Sequence, residues 1–343
     1  MSPSLRFPEF TGEWEKCKIE DITDAVSSGK SKNHFSNGEY NLYGSTGIIG
    51  RTDKALYDGK LVLVARVGAN AGFLQIINEP CGITDNTLIL KPKGIDAFYL
   101  YYFLQHFNLN RLIFGSGQPL ITGGMLKKVK VSLGTISEQS KIVKFLSLLD
   151  ERTAVQSRLI DRLQSLMIGI AQKIAHSNKP NVRISDCLEC SSSALQESEV
   201  NKTGKYPVYG ANGIVGYIDK YHTQNEAIYI IKDGSGVGGV SYVTGKCSST
   251  GTLNILQAKN GHSLKYLYYL LKVFNFVPYK TGMAIPHIYF KDYGKAKIFC
   301  PAYPEQLEYA KLLSSIDGNL RIALDSLKNF NLQKQYLLRH MLI

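Results

Sequence analysis

The stretch YNLYGSTGIIGRTD at Tyr40–Asp53 returns as YPVYGANGIVGYID at Tyr206–Asp219, with seven of fourteen positions identical. Tyr43/Tyr209, Gly44/Gly210, Gly47/Gly213, Ile48/Ile214 and Gly50/Gly216 are among the matches. The register holds without a gap to Leu90/Leu256, through Gly68/Gly234, Gly72/Gly238, Cys81/Cys247 and Thr84/Thr250. After a one-residue insertion, YLYYFL from Tyr99 meets YLYYLL from Tyr266, Pro119 meets Pro286, and Glu138-Gln139 meets Glu305-Gln306. The 343-residue chain is therefore two copies of one unit. Two copies of such length exclude a solenoid, which stacks short units several times. The expectation is a tandem pair of like units with a pseudo-twofold character.

Each copy changes grammar at its Glu-Gln pair. Before the pair, short apolar runs such as KLVLVARVG and AIYIIKDG lie between glycines and other turn formers, which predicts β-rich structure. FYLYYFLQHF and LKYLYYLLKVF predict short buried helices. After the pair glycine almost disappears. Ile142, Leu146, Leu149, Thr153, Gln156, Ile160, Leu163, Met167, Ile170 and Ile174 then follow an alternating four/three spacing that keeps them on one helix face. The second copy repeats the spacing with Tyr309, Leu313, Ile316, Leu320, Ala323, Leu327, Phe330, Lys334, Leu337 and Met341, where only Lys334 breaks the pattern. Thr135-Ile136-Ser137-Glu138 fits a capping box, Pro304 suits a first turn, and HSNKP before Pro180 ends the first helix. Helices of about 40 residues span roughly 60 Å. One apolar stripe on so long a rod calls for a partner. That partner is either the duplicate helix, in a coiled-coil-like pair, or the helix's own domain.

Several motifs are tested and fail on context. DGSGVGG at Asp233–Gly239 contains GxGxxG, but VSYVTGKC after it reads as a strand, Gln257 offers no carboxylate, and the first copy has Asn70 where the second has Gly236. A glycine-rich turn between strands fits better. SSGKS at Ser27–Ser31 has Asp24 where a phosphate loop needs its first glycine. The six cysteines stand at 17, 81, 187, 190, 247 and 300; only Cys187 and Cys190 form CxxC, so a four-ligand zinc set lacks its second pair and no metal is expected. They read as reduced thiols. Lone histidines such as His34, His222 and His287 read as surface or satisfied residues, and no residue reads as catalytic. MSPSLRFPEF lacks the apolar core of a signal peptide, and no run of 18 apolar residues occurs, so a cytoplasmic chain without a membrane partner is expected.

Forty Lys+Arg against 28 Asp+Glu, a net charge of +12, favour a polyanionic partner. Two β-rich domains with long helices suit a linear polymer, and the candidate contacts are hydrogen-bonding side chains in turns and loops. In the first copy these are Lys30, Lys32, Asn33 and His34; Ser45, Thr46 and Arg51; Arg66 and Asn70; and Ser116 and Gln118. In the second they are Lys205, Asn212 and Tyr217; Lys232 and Ser235; and Lys280, Thr281 and His287. Arg and Lys suit guanine or phosphate, Asn and Gln suit adenine.

In this order, and twice over, YGSTGIIG and YGANGIVG, GSGQPLI and TGMAIPHI, and SEQSKIVKFLSLLD and PEQLEYAKLLSSID make the whole chain resemble a type I restriction-modification specificity subunit. The resemblance implies an α+β fold of two β-rich, mixed α/β target recognition domains (1–134 and 179–301) separated by two long antiparallel helices (135–178 and 302–343). Each domain would read one half of a split double-stranded DNA sequence, with the helices as a ruler. Such subunits do no chemistry. They dock methyltransferase (M) subunits, here two, which use S-adenosylmethionine; restriction (R) subunits, with ATP and Mg, complete a DNA-translocating nuclease. Met283-Ala284-Ile285 stands where the first copy has Ser116-Gly117-Gln118, so the two domains should differ in target. Two other classes fit less well: a stand-alone bipartite DNA-binding regulator, and a duplicated glycan-binding β-domain, which the charge and long helices disfavour.

Overall fold

The structure, a computed structural model, describes residues 3–32, 37–113, 119–176 and 179–342. The chain divides into two compact units, residues 1–156 with 326–343, and residues 157–325. The first holds β1 (Glu15–Lys18), β2 (Thr23–Ser28), β3 (Tyr40–Gly44), β4 (Gly47–Thr52), β5 (Lys60–Ala65), β6 (Leu74–Asn78), β7 (Cys81–Ile83) and β8 (Thr87–Pro92). They are followed by α1 (Ala97–Phe107), α2 (Gly123–Lys127), β9 (Lys130–Leu133) and the opening of α3 (Ile136–His176). The sheets run β2-β8-β5-β6, β4-β3-β7 and β1-β9.

The second unit repeats this with β10 (Val182–Arg183), α4 (Ile184–Cys187), β11 (Leu188–Ser192), β12 (Tyr206–Gly210), β13 (Gly213–Ile218), β14 (Glu226–Ile231), β15 (Val240–Thr244), β16 (Ser248–Ser249) and β17 (Leu253–Ala258). Then come α5 (Leu264–Val273), α6 (Phe290–Tyr293), β18 (Lys297–Ile298) and the start of α7 (Tyr303–Met341). Its sheets, β11-β17-β14-β15, β13-β12-β16 and β10-β18, have the order of the first unit's. Even the register shift recurs, at Leu42/Tyr43 and at Val208/Tyr209.

The unbroken apolar run of β5 follows from burial on both faces. Val62 and Val64 join the core under α1, while Leu61 and Leu63 pack on Cys81 and Ile83 of the three-stranded sheet. α1 starts on Asp96, whose carboxylate accepts from the Phe98 and Tyr99 N–H groups, and α5 starts on Ser263 in the same way. Burying Tyr99 and Tyr266 requires a partner for each phenol. Both donate to a main-chain carbonyl before the long helix, Tyr99 to Ser132 O at 2.9 Å and Tyr266 to Phe299 O at 3.0 Å.

The Glu-Gln pairs are joints between the sheets' helices and the long helices. Gln139 is buried, donates to Gly134 O at 2.9 Å and accepts from the Asp96 N–H at 3.0 Å. Gln306 repeats both bonds, with Pro301 O and the Ser263 N–H, each at 2.8 Å. The glutamates do not match. Thr135 Oγ1 accepts from the Glu138 N–H, as a capping box requires, but the Glu138 carboxylate does not reach back. It is fully buried and accepts from Arg6 Nε at 2.6 Å, Arg6 Nη2 at 2.8 Å and Trp14 Nε1 at 3.1 Å. A side chain 132 residues upstream has outcompeted the local cap. Glu305 is exposed and, among the described residues, accepts only the nearby Tyr309 hydroxyl, at 2.9 Å.

α3 and α7 contain 41 and 39 residues, and each contributes to both units. Every stripe position from Ile142 to Ile174 and from Tyr309 to Met341 is buried or half-buried. In the first unit Ile142, Leu146 and Leu149 share a core with Leu337, Leu338, Met341 and Leu342, and equally with Trp14, Tyr99 and Leu100. Asp150 meets Lys334, and Phe330 lines a hollow with Val155, so rising numbers on α3 meet falling numbers on α7 and the segments run antiparallel. In the second unit Met167 and Ala171 of α3 line a hollow with Leu320 of α7 and Tyr269 of α5. Ile160, Leu313 and Ile316 are buried there too, with Leu163 and Ile170 half-buried along the α3 stripe, while Leu327 is half-buried in the part of α7 that belongs to the first unit. Pairing with the duplicate and packing on the domain are therefore not alternatives. Both occur within each unit. No described helix is long and apolar enough to cross a membrane.

Candidate nucleic-acid interface

In each unit three loops converge beside the three-stranded sheet. The tip of the β3–β4 hairpin turns at Gly47 with φ +138°, and its copy at Gly213 with φ +104°, which explains why glycine recurs there. The Gly68–Phe73 loop joins β5 to β6 through bonds from Ala71 N to Gly68 O, Gly72 N to Ala65 O and Phe73 N to Asn70 O. Its copy between β14 and β15 makes the same three, Val237 N to Gly234 O, Gly238 N to Ile231 O and Gly239 N to Gly236 O. The GxGxxG of the second copy is thus a connection between two antiparallel strands, with no helix for a pyrophosphate to sit on.

The third loop, of which Pro119 and Ile121 in the first unit and Pro286 and Ile288 in the second make the contact, docks on the second loop. Gly68 N donates to Pro119 O and Ile121 N to Arg66 O; in the other unit Gly234 N donates to Pro286 O and Ile288 N to Lys232 O. Asn86 connects the first two loops, its carbonyl accepting from Arg66 N at 2.9 Å and from Ser45 Oγ at 3.3 Å. Lys232 N donates to Thr252 O in the same manner.

This scaffold fixes where the candidate contacts fall. In the first unit the Asn86 carbonyl ties Ser45 to Arg66, with Thr46 next to Ser45 on the hairpin tip and Asn70 on the Gly68–Phe73 loop; Thr46 and Asn70 are exposed, Ser45 and Arg66 half-buried. Arg66 Nη1 donates to Ser28 Oγ at 3.4 Å, while its buried Nε has no hydrogen-bond partner among the described residues. Lys30 and Lys32 are exposed on the rim of a separate depression of about 390 Å³, with Thr52, Asp53 and Lys54 opposite. Lys54 is a third cation there that the loop reading missed; it follows Arg51–Asp53 directly and carries no motif. Asn33, His34, Ser116 and Gln118 lie outside the described residues.

Arg51 is exposed, but its guanidinium is engaged within the fold. Its Nε donates to Gly38 O at 2.6 Å and its Nη2 to Glu39 O at 2.8 Å, with Nη1 3.4 Å from Asn41 Oδ1. The guanidinium holds the approach to β3, so most of its donors are spent on the fold.

In the second unit Lys232, Ser235, Lys280, Thr281 and His287 gather on the glycine turn and the segment paired with it. Thr281 and His287 exchange main-chain bonds of 2.9 and 2.7 Å, and His287 Nδ1 lies 2.8 Å from Asp233 Oδ1. Asp233 therefore belongs to the cluster, although it was not among the candidate contacts. Met283 stands fully open to solvent on the same segment, and Ile285 is exposed beside it. Lys205 and Asn212 are exposed at the base and tip of the β12–β13 hairpin, and half-buried Tyr217 pairs with Asn201 through the main chain.

The type I restriction modification DNA specificity domain matches residues 11–165 and again residues 177–329. The chain belongs to the type I restriction-modification specificity family. Among its relatives, a type I restriction enzyme specificity subunit of Haemophilus influenzae is 25% identical over 123 residues, 35% of this chain and 32% of that protein. The EcoprrI specificity subunit of Escherichia coli is 28% identical over 115 residues, 33% of this chain and 29% of its own. The aligned stretch is thus about a third of each curated relative's length. The S subunit of the type I restriction-modification system of M. genitalium has the same fold, with a TM-score of 0.75 and 20% identity over 100% of this chain and 99% of its own. A chain from work on complex assembly and conformational transition of the type I R-M system has a TM-score of 0.55 and 12% identity, over 96% and 97% of the two chains. Each of the two specificity domains thus carries one copy of the three-loop scaffold.

Proposed function

We propose that this chain is the DNA sequence-specificity subunit of a type I restriction-modification complex. Each specificity domain binds one half of a bipartite duplex target in the cytoplasm. α3 and α7 set the gap between half-sites and dock two methyltransferase subunits. The chain performs no chemistry: S-adenosylmethionine belongs to the methyltransferase subunits, ATP and Mg to the restriction subunits.

One observation carries this reading, namely that identical loop scaffolds present different side chains at equivalent positions. Ser45, Thr46, Arg66 and Asn70 align in sequence with Ala211, Asn212, Lys232 and Gly236 of the other copy. A duplicated scaffold with divergent edges is what two unlike half-sites require, because base edges are told apart by donor and acceptor pattern. Basic side chains around each set supply the phosphate contacts that fix register. Support for docking comes from the long helices, which keep apolar side chains outside their buried stripes. Phe145, Leu148 and Val155 are exposed in the first unit, and Leu159, Leu312 and Ile322 in the second.

The test is to map modified bases genome-wide with and without this gene, and with Arg66→Ala. The expected result is a split motif that depends on the gene, with only one half relaxed by the substitution. Equal loss at both halves, or a motif without a gap, would overturn the reading.

A further inference from the structure

The second unit contains a side-chain cluster that its repeat does not share. Cys187 Sγ, Cys300 Sγ and a ring nitrogen of His262 all lie within 4.8 Å of one another, and Cys300 Sγ is 3.5 Å from His262 Nδ1. Cys187 is fully buried, Cys300 is 9% exposed and His262 is half-buried. The CxxC partner, Cys190, is not in this group; residues far apart in sequence converge instead.

The hydrogen bonds shared by the two units identify the equivalent positions in the first. Asp21 accepts from Lys18 N, and Asp186 from Arg183 N, each one residue before the end of a single helical turn, so Cys187 matches Ile22. The Gln139 and Gln306 joints align Ser263 with Asp96, so His262 matches Ile95. The bonds from Tyr99 to Ser132 O and from Tyr266 to Phe299 O align Cys300 with Leu133. Ile22, Ile95 and Leu133 belong to the apolar core or pack directly against it. Three aliphatic residues in one copy are thus replaced by two thiols and an imidazole in the other, and all three turn toward one point.

We infer that Cys187, His262 and Cys300 bind one zinc ion. With Zn–S near 2.3 Å and Zn–N near 2.0–2.1 Å, a tetrahedral site has S···N edges of about 3.5 Å and S···S edges of about 3.8 Å. The Cys300–His262 separation matches the first, and the remaining pairs lie within 4.8 Å. Two thiolates with one imidazole form a soft donor set that selects zinc over magnesium or calcium. Three protein ligands leave a fourth vertex for water.

The main chain at each ligand is already held. Asn181 clamps Cys300 through its N–H and carbonyl, both at 2.8 Å. Lys259 N donates to Cys187 O at 2.9 Å and His262 N to Lys259 O at 3.1 Å, which ties the histidine's turn to the first cysteine. The ion joins the end of α4, the turn before α5 and the residue that leads into α7. In the first unit buried Glu138, held by Arg6 and Trp14, anchors the long helix at its root, and among the described residues the exposed Glu305 makes no such anchor in the second. The zinc clip fills that role.

The test uses the full chain, stripped of metal and reduced. Cobalt, as a spectroscopic stand-in for zinc, should give a thiolate-to-metal charge-transfer band at one equivalent per chain, which one equivalent of zinc displaces. Zinc should also raise the unfolding temperature. The double variant C187I/C300L carries the first copy's own residues, so it should fold, lose the band and lose the response to zinc. H262A should keep thiolate character but bind cobalt far more weakly. A wild-type cobalt spectrum without the charge-transfer band, a Cys187–Cys300 disulfide in freshly isolated protein, or zinc binding that survives in C187I/C300L would each overturn the inference. The wild-type spectrum decides the matter even if a variant misfolds.

Discussion

The ammonium of Lys334 lies 2.6 Å from Oδ1 of Asp150 and 5.2 Å from the centre of the Tyr102 ring, whose hydroxyl donates to Oδ2 of the same carboxylate at 2.7 Å. The single break in the apolar stripe of α7 is therefore a matched polar pair. The second unit has Asp317 at the place of Asp150, but Met167 at the place of Lys334, so the pair occurs in one copy only. A polar residue confined to one stripe position marks register, because sliding the helices would strand its charge. Lys334→Met restores the stripe and should change stability by no more than about 0.5 kcal/mol. Asp150→Ala strands the ammonium and removes an acceptor from Tyr102, and should cost about 1 kcal/mol. Urea unfolding of the two variants checks this; a larger loss for Lys334→Met would refute the register role.

Glu138 and Glu305 occupy matching positions with unlike surroundings. Glu138→Ala leaves the buried indole N–H of Trp14 without its acceptor, a cost of about 1–3 kcal/mol before the loss of Arg6 is counted. Glu305→Ala removes one bond to an exposed tyrosine and should fall within about 0.5 kcal/mol. Calorimetry on the two proteins should show a clear drop in the first and almost none in the second.

The glycine turn makes a prediction that separates a structural element from a nucleotide loop. Gly234 has φ +93°, where an L side chain is strained, whereas a Cβ on Gly236 would meet only the end of the flexible Ile231 side chain at 3.2 Å. Gly234→Ala should cost about 1 kcal/mol or more, and Gly236→Ala less. Equilibrium dialysis of the isolated chain with S-adenosylmethionine should show no saturable binding. Binding abolished by Gly236→Ala would return the motif to a nucleotide-site reading.

If the long helices act as a ruler, their length is the variable. One heptad added to both α3 and α7 lengthens each by about 10.5 Å, close to three base-pair steps of about 3.4 Å. The unspecified gap between half-sites should widen accordingly in a methylome. An active complex that retains its original gap would refute the ruler.

Local pattern was enough for much of this protein. The repeat, the strand-rich domains, the buried helices at Tyr99 and Tyr266, and the stripes of α3 and α7 depend on residues a few positions apart, whose period follows from backbone geometry and is written directly in the chain. The same holds for the glycine turn, where the surrounding strand pattern sufficed to reject a nucleotide site.

Tertiary structure decided which distant groups meet. Arg51 was legible as a loop cation, but only the fold shows that the carbonyls of Gly38 and Glu39 engage it. Glu138 carried a capping signature, yet Arg6 and Trp14 claimed its carboxylate. Cys187 pointed in sequence to Cys190, and the fold gave it Cys300 and His262 instead. Such pairings depend on how strands and helices are placed in space, which no spacing along the chain encodes, whereas burial makes each of them energetically decisive once it forms.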